Sequence, residues 1–403
     1  TSQDANSVNS DPSFATAGGT YATNYLPENL QTGVAITGIT TDYYGETRTQ
    51  PYMGAIEIIG PIWDGSASTN WNTSANWATN VVPGTGANAN IPGSLVNYPV
   101  IGSGAQATCN NLNVMTGATL TINSGGSLIT EGAISNNGTI TISTSVTNEA
   151  WHFISMPVTQ GSASIFMGDY LQYWNESTTS WNDITEPDYS ITPVKGYSLW
   201  GTTKSDQLYT FTGTPNTGDK SLAITHSGSG ENAGFNLMGN PYPSYLDWDE
   251  VTGYGSKYTW DGTAYLTYTQ TGGYGLGSKY VAPMEGFFIY TANAGTFSLT
   301  NAMRTNSSSK RAVGSKSFEK GIVLTAFNGS YEDALWIVFD NEASDNFELE
   351  RDAWKLISST EGLSQIWSFC NDGKMAVDVR PEYETFQLGF SNNQAGFNSI
   401  GAA

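Results

Sequence analysis

Three carboxylates fall close together in the phrase LDWDE: Asp247, Asp249 and Glu250. Calcium takes oxygen ligands clustered in this way, and on an extended chain Asp247 and Asp249 share a face. The run also follows the proline-rich turn GNPYPS, and a solvated loop is the plainer reading, which the composition favours. The second chemistry on offer is sugar stacking. Trp174 and Trp181 flank the turn NESTTS, and Tyr254, Tyr258, Trp260, Tyr265, Tyr268 and Tyr274 crowd a glycine-rich stretch. Aromatic faces suit the C–H faces of a pyranose, and the same rings also serve as cross-strand core packing. Tyr254 and Tyr274, each set between two glycines, are the residues least expected in a core.

Catalytic signatures are missing from this sequence. It has two histidines, His152 and His226, and no HExxH, GxxxxGK[ST] or GxSxG phrase. Carboxylate pairs of the kind that hydrolyse glycosides need no histidine, but no spacing singles out a pair among the 36 acids. The expectation is that the chain is not an enzyme. Cys109 and Cys370 lie in different predicted domains, so a disulfide framework is not expected.

Lys and Arg number 15 against the 36 Asp and Glu, a formal charge of −21. Phosphate binding needs clustered cations, so nucleic acid and anionic membranes are poor partners. No apolar run is long enough to span a bilayer, so membrane insertion is not expected either. Aromatic residues make up 12% of the chain, which argues for packed cores rather than disorder.

The elements that must position these residues are strands. Short β-branched and aromatic runs alternate with Gly, Asn, Pro and Ser throughout, the all-β pattern. Residues 1–60 hold one strand-like run, Gly33 to Ile39. Residues 61–148 open with tryptophans at 63, 71 and 77, read as a local miniature core. They continue with GATLTI, GGSLIT and NNGTITI, near-repeats expected to stack as rungs of a small solenoid or roll. Residues 149–305 read as a two-sheet sandwich in which APMEGFFIY, from Ala282, echoes PVKGYSLW, from Pro193. A Ser/Asn-rich linker is expected at 306–317 and a partial β-sandwich at 318–403. Ser344 to Leu356 is the best short helix candidate, with an extended loop as its alternative, and Ser164 to Tyr170 could form one turn.

Several phrases carry a family resemblance. TTDYYGETRTQPYMGAIE, with Asp42-x-x-Gly45-x-x-Arg48 and Gly54-Ala55-x-Glu57, resembles the last coil and exit of a right-handed parallel β-helix. WDGSASTNW resembles the tryptophan-rich modules that follow such helices. WHFISMP from Trp151, GFNLMGNPYPS from Gly234 and the two echoing strands resemble a β-domain that recurs in type IX secretion cargo of Bacteroidota. Residues 331 to 400 resemble the sandwich that precedes the sorting signal in such cargo.

The resemblance implies a non-catalytic structural or adhesive section of a large secreted, cell-surface protein. Its partners would be extracellular glycans or other copies of itself. Two alternatives stand beside it. The chain could be a carbohydrate-binding or accessory region of a polysaccharide-degrading enzyme whose catalytic part lies upstream. It could instead be a filament subunit joined by β-strand addition, with Gly33 to Ile39 or Phe386 to Phe390 as the donated strand.

Overall fold

The computed structural model describes residues 40, 60–202, 207–307, 320–329, 331–360, 362–382, 385–392 and 399–402. The expected β-helix exit over 1–60, with its strand Gly33 to Ile39, lies outside these residues apart from 40 and 60. Most of the expected linker lies outside them too. The described chain is all-β; its helical content is a set of short 3-10 turns, none longer than Ala163–Phe166. The chain divides into two units. Thr1–Thr141 with Thr212–Thr214 form the first, and Ile142–Phe211 with Pro215–Ala403 form the second.

In the first unit, Trp63, Trp71 and Trp77 are fully buried. Trp77 meets the other two edge-on, at 5.2 Å and 4.9 Å between ring centroids. The Trp63 indole N–H donates to the Asn97 carbonyl and that of Trp77 to the Trp71 carbonyl, each at 2.8 Å, while that of Trp71 is buried with no hydrogen-bond partner among the described residues.

Beside it runs a stack of short parallel strands: β1 (Ala89–Ile91), β2 (Val100–Ile101), β3 (Gln106–Cys109), β4 (Leu112–Val114), β5 (Thr119–Ile122), β6 (Ser127–Thr130) and β7 (Ile134–Asn136). β1 pairs with β4 and β4 with β7, so that Ala89, Leu112 and Ile134 lie in one column. β2 pairs with β5 and β3 with β6, all parallel. Parallel neighbours need a long crossover; here each crossover is itself made of the strands of the other faces, which coils the chain into a solenoid. Alternation puts Leu120, Ile122, Leu112 and Val114 inside. Asn113 donates to the buried Asn90 Oδ1 at 2.8 Å, so polar side chains form ladders as well.

The three near-repeats do not stack in sequence order. β8 (Thr139–Val146), from NNGTITI, lies on β5, from GATLTI: Thr139 N–H donates to the Ala118 carbonyl at 2.9 Å. β6, from GGSLIT, lies on another face, over β3. The phrases are alike because each enters its strand through a turn; Gly117 and Gly125 take φ of 81° and 79°, which glycine adopts without strain.

The second unit contains one four-stranded arrangement twice. Its first copy is β9 (Trp151–Ile154), β10 (Tyr170–Asn175), β11 (Ser180–Asp183) and β12 (Tyr197–Trp200), in the order β11-β10-β12-β9. After β13 (Gln207–Thr212) and β14 (Lys220–Ile224) comes the second copy. It consists of β15 (Phe235–Gly239), β17 (Ser256–Trp260), β18 (Tyr265–Thr269) and β20 (Gly286–Tyr290), in the matching order β18-β17-β20-β15. Between its strands lie β16 (Tyr245–Asp247) and β19 (Tyr280–Val281).

The registers align the copies residue by residue. Trp151 opposite Trp200 matches Phe235 opposite Tyr290, and Trp174 opposite Trp181 matches Trp260 opposite Tyr265. The copies then exchange identical contacts. Ile154 bridges to Glu285 and its counterpart Met238 to Lys195. Ser155 N–H donates to the Met284 carbonyl at 2.8 Å, and its counterpart Gly239 to the Val194 carbonyl at 2.7 Å. Val194 and Met284 both have left-handed backbones, with φ of 70° and 62°. A Cβ on Gly239 would stand 2.3 Å from that of Ser155, so the copies touch at matching positions. The echo read between PVKGYSLW and APMEGFFIY is thus part of a larger internal duplication.

The GNPYPS turn joins the copies to a common core. Asn240, fully buried, donates to the carbonyls of Ser244 and Ala282 and accepts from Tyr242 N–H. Tyr242, Trp248, Phe287 and Phe297 pack beside it, with β21 (Gly295–Leu299) pairing β14 and β22 (Arg304–Thr305) pairing β16.

A last sheet packs on the duplicated region, placing Trp336, Val338 and Val377 against Phe153, Phe235 and Phe288. Its strands are β23 (Gly321–Phe327), β24 (Glu332–Phe339), β25 (Ala353–Trp354), β26 (Ser364–Phe369), β27 (Lys374–Arg380), β28 (Leu388–Asn392) and β29 (Ser399–Ala402). β28, the expected spare strand around Phe386 to Phe390, is an edge strand paired with β26.

Over Ser344 to Leu356 the chain takes the extended alternative and forms no helix. Buried Asp352 takes the N–H of Glu348 at 2.7 Å and that of Val379 at 2.8 Å, and Glu348 takes that of Ser344. Side chains that capture backbone donors in this way compete with a helix. Among the described residues no helix is long and apolar enough to cross a membrane.

Candidate functional site

Alternation along β9, β10, β11 and β12 sends every second side chain to one face of the first copy. The registers make rows of them. Trp151, Trp200 and Tyr170 are direct cross-strand neighbours in one row. Phe153, Ser198, Gln172 and Asp183 form the next, and Trp174 and Trp181 follow. The last sheet and the second copy cover this face from the Trp174 end. The row of Trp151, Trp200 and Tyr170 stays open, with Tyr170 62% exposed. Trp151 and Trp200 hold each other with centroids 5.5 Å apart and planes inclined by 61°.

A cleft of about 420 Å³ begins at this row and runs inward between Trp181, Trp260 and Tyr265. A shallower hollow of about 400 Å³ shares Trp151, Gln172 and Trp200 with it and adds Tyr170 and Asp183. Together they make one groove with an aromatic floor. Gln172 crosses that floor and donates from Nε2 to Asp183 Oδ1 at 2.8 Å. Exposed Glu149 stands at the rim on a left-handed residue, φ 57°. Among the described residues no Lys, Arg or His lines either hollow. Aromatic faces with a few fixed amide, hydroxyl and carboxylate groups are the lining of a site for a small polar ligand.

The residues singled out in the sequence are distributed unevenly. Trp181 lines the cleft. Trp174 is a wall behind it: its indole N–H donates to the Phe235 carbonyl at 2.7 Å and its ring stands edge-on to Phe288. Tyr254 and Tyr274, expected to be the most open, are part of the packing. Tyr254 lies edge-on to Phe297 at 5.0 Å and donates to the Thr296 carbonyl, and Tyr274 packs on the core around Tyr258 and Phe288. The glycines beside them let the loops turn these rings inward.

The carboxylates of LDWDE meet a lysine. Lys279 Nζ lies 2.7 Å from Asp247 Oδ2 and 3.3 Å from Asp249 Oδ2, and these hydrogen bonds raise its pKa. Asp247 Oδ1 also caps the turn Trp248–Glu250, and Asp249 Oδ1 accepts from the Tyr268 hydroxyl. Glu250 is exposed. An ammonium thus occupies the place a calcium ion would take. Among the described residues no group of three or more His, Cys, Asp and Glu is placed to hold a metal.

Sequence reasoning missed Trp151, Trp200, Tyr170, Gln172 and Asp183 as a group. Their period-two spacing, Tyr170-x-Gln172-x-Trp174 and Trp181-x-Asp183, was the available signal. Their cross-strand register was not, because it joins segments far apart in the chain.

Comparison with known proteins adds one match. A family model described as "Domain of unknown function (DUF8693)" matches residues 62–147, the stretch that carries the tryptophan cluster and stacked strands. No curated protein and no solved structure matches the chain.

Proposed function

We propose that the chain is a non-catalytic, adhesive section of a secreted or cell-surface protein, and that it binds glycan chains in the groove floored by Trp151, Trp200 and Tyr170. The observation that carries this reading is the open row of three aromatic side chains on adjacent strands, bordered by Gln172, Asp183 and Glu149. Pyranose C–H faces stack on such rings, while amide and carboxylate groups take the hydroxyls. Rings held by cross-strand pairing lose little freedom on binding, which favours affinity. Asp183 and Glu149 make the described lining acidic, which fits neutral or amino sugars better than sulfated and uronate polymers. Tandem all-β organisation and the resemblance to type IX cargo support the extracellular setting.

A glycan array followed by titration calorimetry tests it. Trp200→Ala should weaken binding to the array's best glycan by about tenfold to thirtyfold, the cost of removing a central aromatic anchor. Tyr254→Ala should leave affinity unchanged. Full affinity in Trp200→Ala, or an array without a single specific signal, would refute the proposal.

A further inference from the structure

The duplication predicts a counterpart to the groove. Phe235 and Tyr290 occupy the positions of Trp151 and Trp200, and their rings repeat the same geometry, with centroids 5.5 Å apart and planes inclined by 65°. At this counterpart the last sheet contributes new aromatic walls. Trp354 stands 5.5 Å from Tyr290, and Phe347 stacks on Trp354 at 4.5 Å and 20°. Two adjoining hollows open here, of about 330 Å³ and 610 Å³, and both are lined by Tyr290, Trp354 and Asp372.

From these aromatic walls and hollows we infer a second glycan-binding cleft, taking neutral sugar units. The inference rests on the glycan reading above for its ligand class and on the matching positions for its location. The polar groups around it offer both donors and acceptors with charges in balance. Lys374 pairs with Glu231, Asp372 accepts from Phe347 N–H at 2.8 Å, and His226 holds the Thr291 carbonyl through Nδ1 at 2.8 Å. Sugar hydroxyls, which donate and accept alike, suit this mixture better than a charged ligand does. Two clefts on one chain would raise its avidity for a polymer through effective concentration.

Fluorine NMR of the whole chain carrying fluorotryptophan separates the two clefts, with Trp200 and Trp354 assigned from Trp200→Ala and Trp354→Phe spectra. The probes are cellohexaose, laminarihexaose, xylohexaose and chitohexaose. We expect the Trp354 signal to move with at least one of them, and to move equally in Trp200→Ala. A Trp354 signal unmoved by every sugar overturns the second cleft, whatever Trp200 does. A Trp354 response that vanishes in Trp200→Ala overturns it as well, since it would then report the first groove. Trp354 moving while Trp200 stays fixed upholds the second cleft and refutes the first.

Discussion

Glu176 closes the hairpin between Trp174 and Trp181, and it is 5% exposed, with no ion pair to a cation among the described residues. Its Oε1 accepts from the N–H of Gly228 at 3.0 Å and Gly234 at 2.9 Å, and its Oε2 from the N–H of Ser227 at 2.9 Å. The hydroxyls of Ser227 and Thr225 complete Oε2, at 2.9 Å and 2.8 Å. Burial is the largest single influence on its pKa and pushes it up. The Gly234, Ser227 and Gly228 N–H groups with the Thr225 hydroxyl outweigh that, and bring it from 4.5 down to about 2.

A carboxylate held below its unfolded value stabilises the fold above about pH 4.5, and that contribution fades as the pH falls toward 2. The shift is worth roughly 3 kcal/mol at neutral pH. A second route gives a similar figure. Glu176→Gln keeps an oxygen for the Gly228 and Gly234 donors and turns an NH₂ toward two hydroxyls that can rotate to accept, but it also sets that NH₂ against the Ser227 N–H, which is left with Oε1 at 3.1 Å. What it loses is charge assistance on three backbone donors, about 1 kcal/mol each. Urea unfolding followed by tryptophan fluorescence should therefore show the second unit about 3 kcal/mol less stable in Glu176→Gln at pH 7. The gap should shrink to under about 1 kcal/mol near pH 2. A difference below about 0.5 kcal/mol at pH 7, or one that persists on acidification, would refute this account.

Two further perturbations probe the same unit. Lys257 is completely buried, with no hydrogen-bond partner for Nζ among the described residues, and desolvation lowers its pKa to about 8 despite Glu285 and Asp249. Lys257→Met should stabilise the protein by roughly 3 kcal/mol at pH 7. The gain should fall as the pH rises past 8, where the folded lysine is already neutral, and calorimetric melting at both pH values checks it. Gly239→Ala forces a Cβ to within 2.3 Å of that of Ser155 and should cost about 2–3 kcal/mol. Adding Ser155→Gly should recover most of the loss in chemical denaturation; no recovery would mean that the clash lies elsewhere.

Much of the architecture was legible because its signals are local. Turn glycines and β-branched runs marked the strands, and tryptophans 63, 71 and 77 marked a small core. The stacking order of GATLTI, GGSLIT and NNGTITI was not legible, because parallel pairing is decided by which face each strand reaches. Nor was the groove. Trp151 and Trp200 become neighbours only through the register of β9 with β12, while Tyr254 looked open because its flanking glycines conceal an inward turn. Over Ser344 to Leu356 the sequence left helix and extended loop open, and side-chain capture of backbone donors by Asp352 and Glu348 decides for the loop.

The paired contacts of Ile154 with Glu285 and Met238 with Lys195 bear on how such a unit can arise. Each copy's Met/Ile strand end rests on the other copy's Lys/Glu strand, so neither copy completes its own edge. A chain carrying only one copy would meet a second such chain through the same surface on both partners, the geometry of a twofold dimer. Fusing the two halves turns that association into a unimolecular one and frees each to diverge. The outcome is written in the aromatic rows: one half keeps Trp151, Trp200 and Tyr170 facing outward, and the other sets Phe235 and Tyr290 beneath the rings of the last sheet.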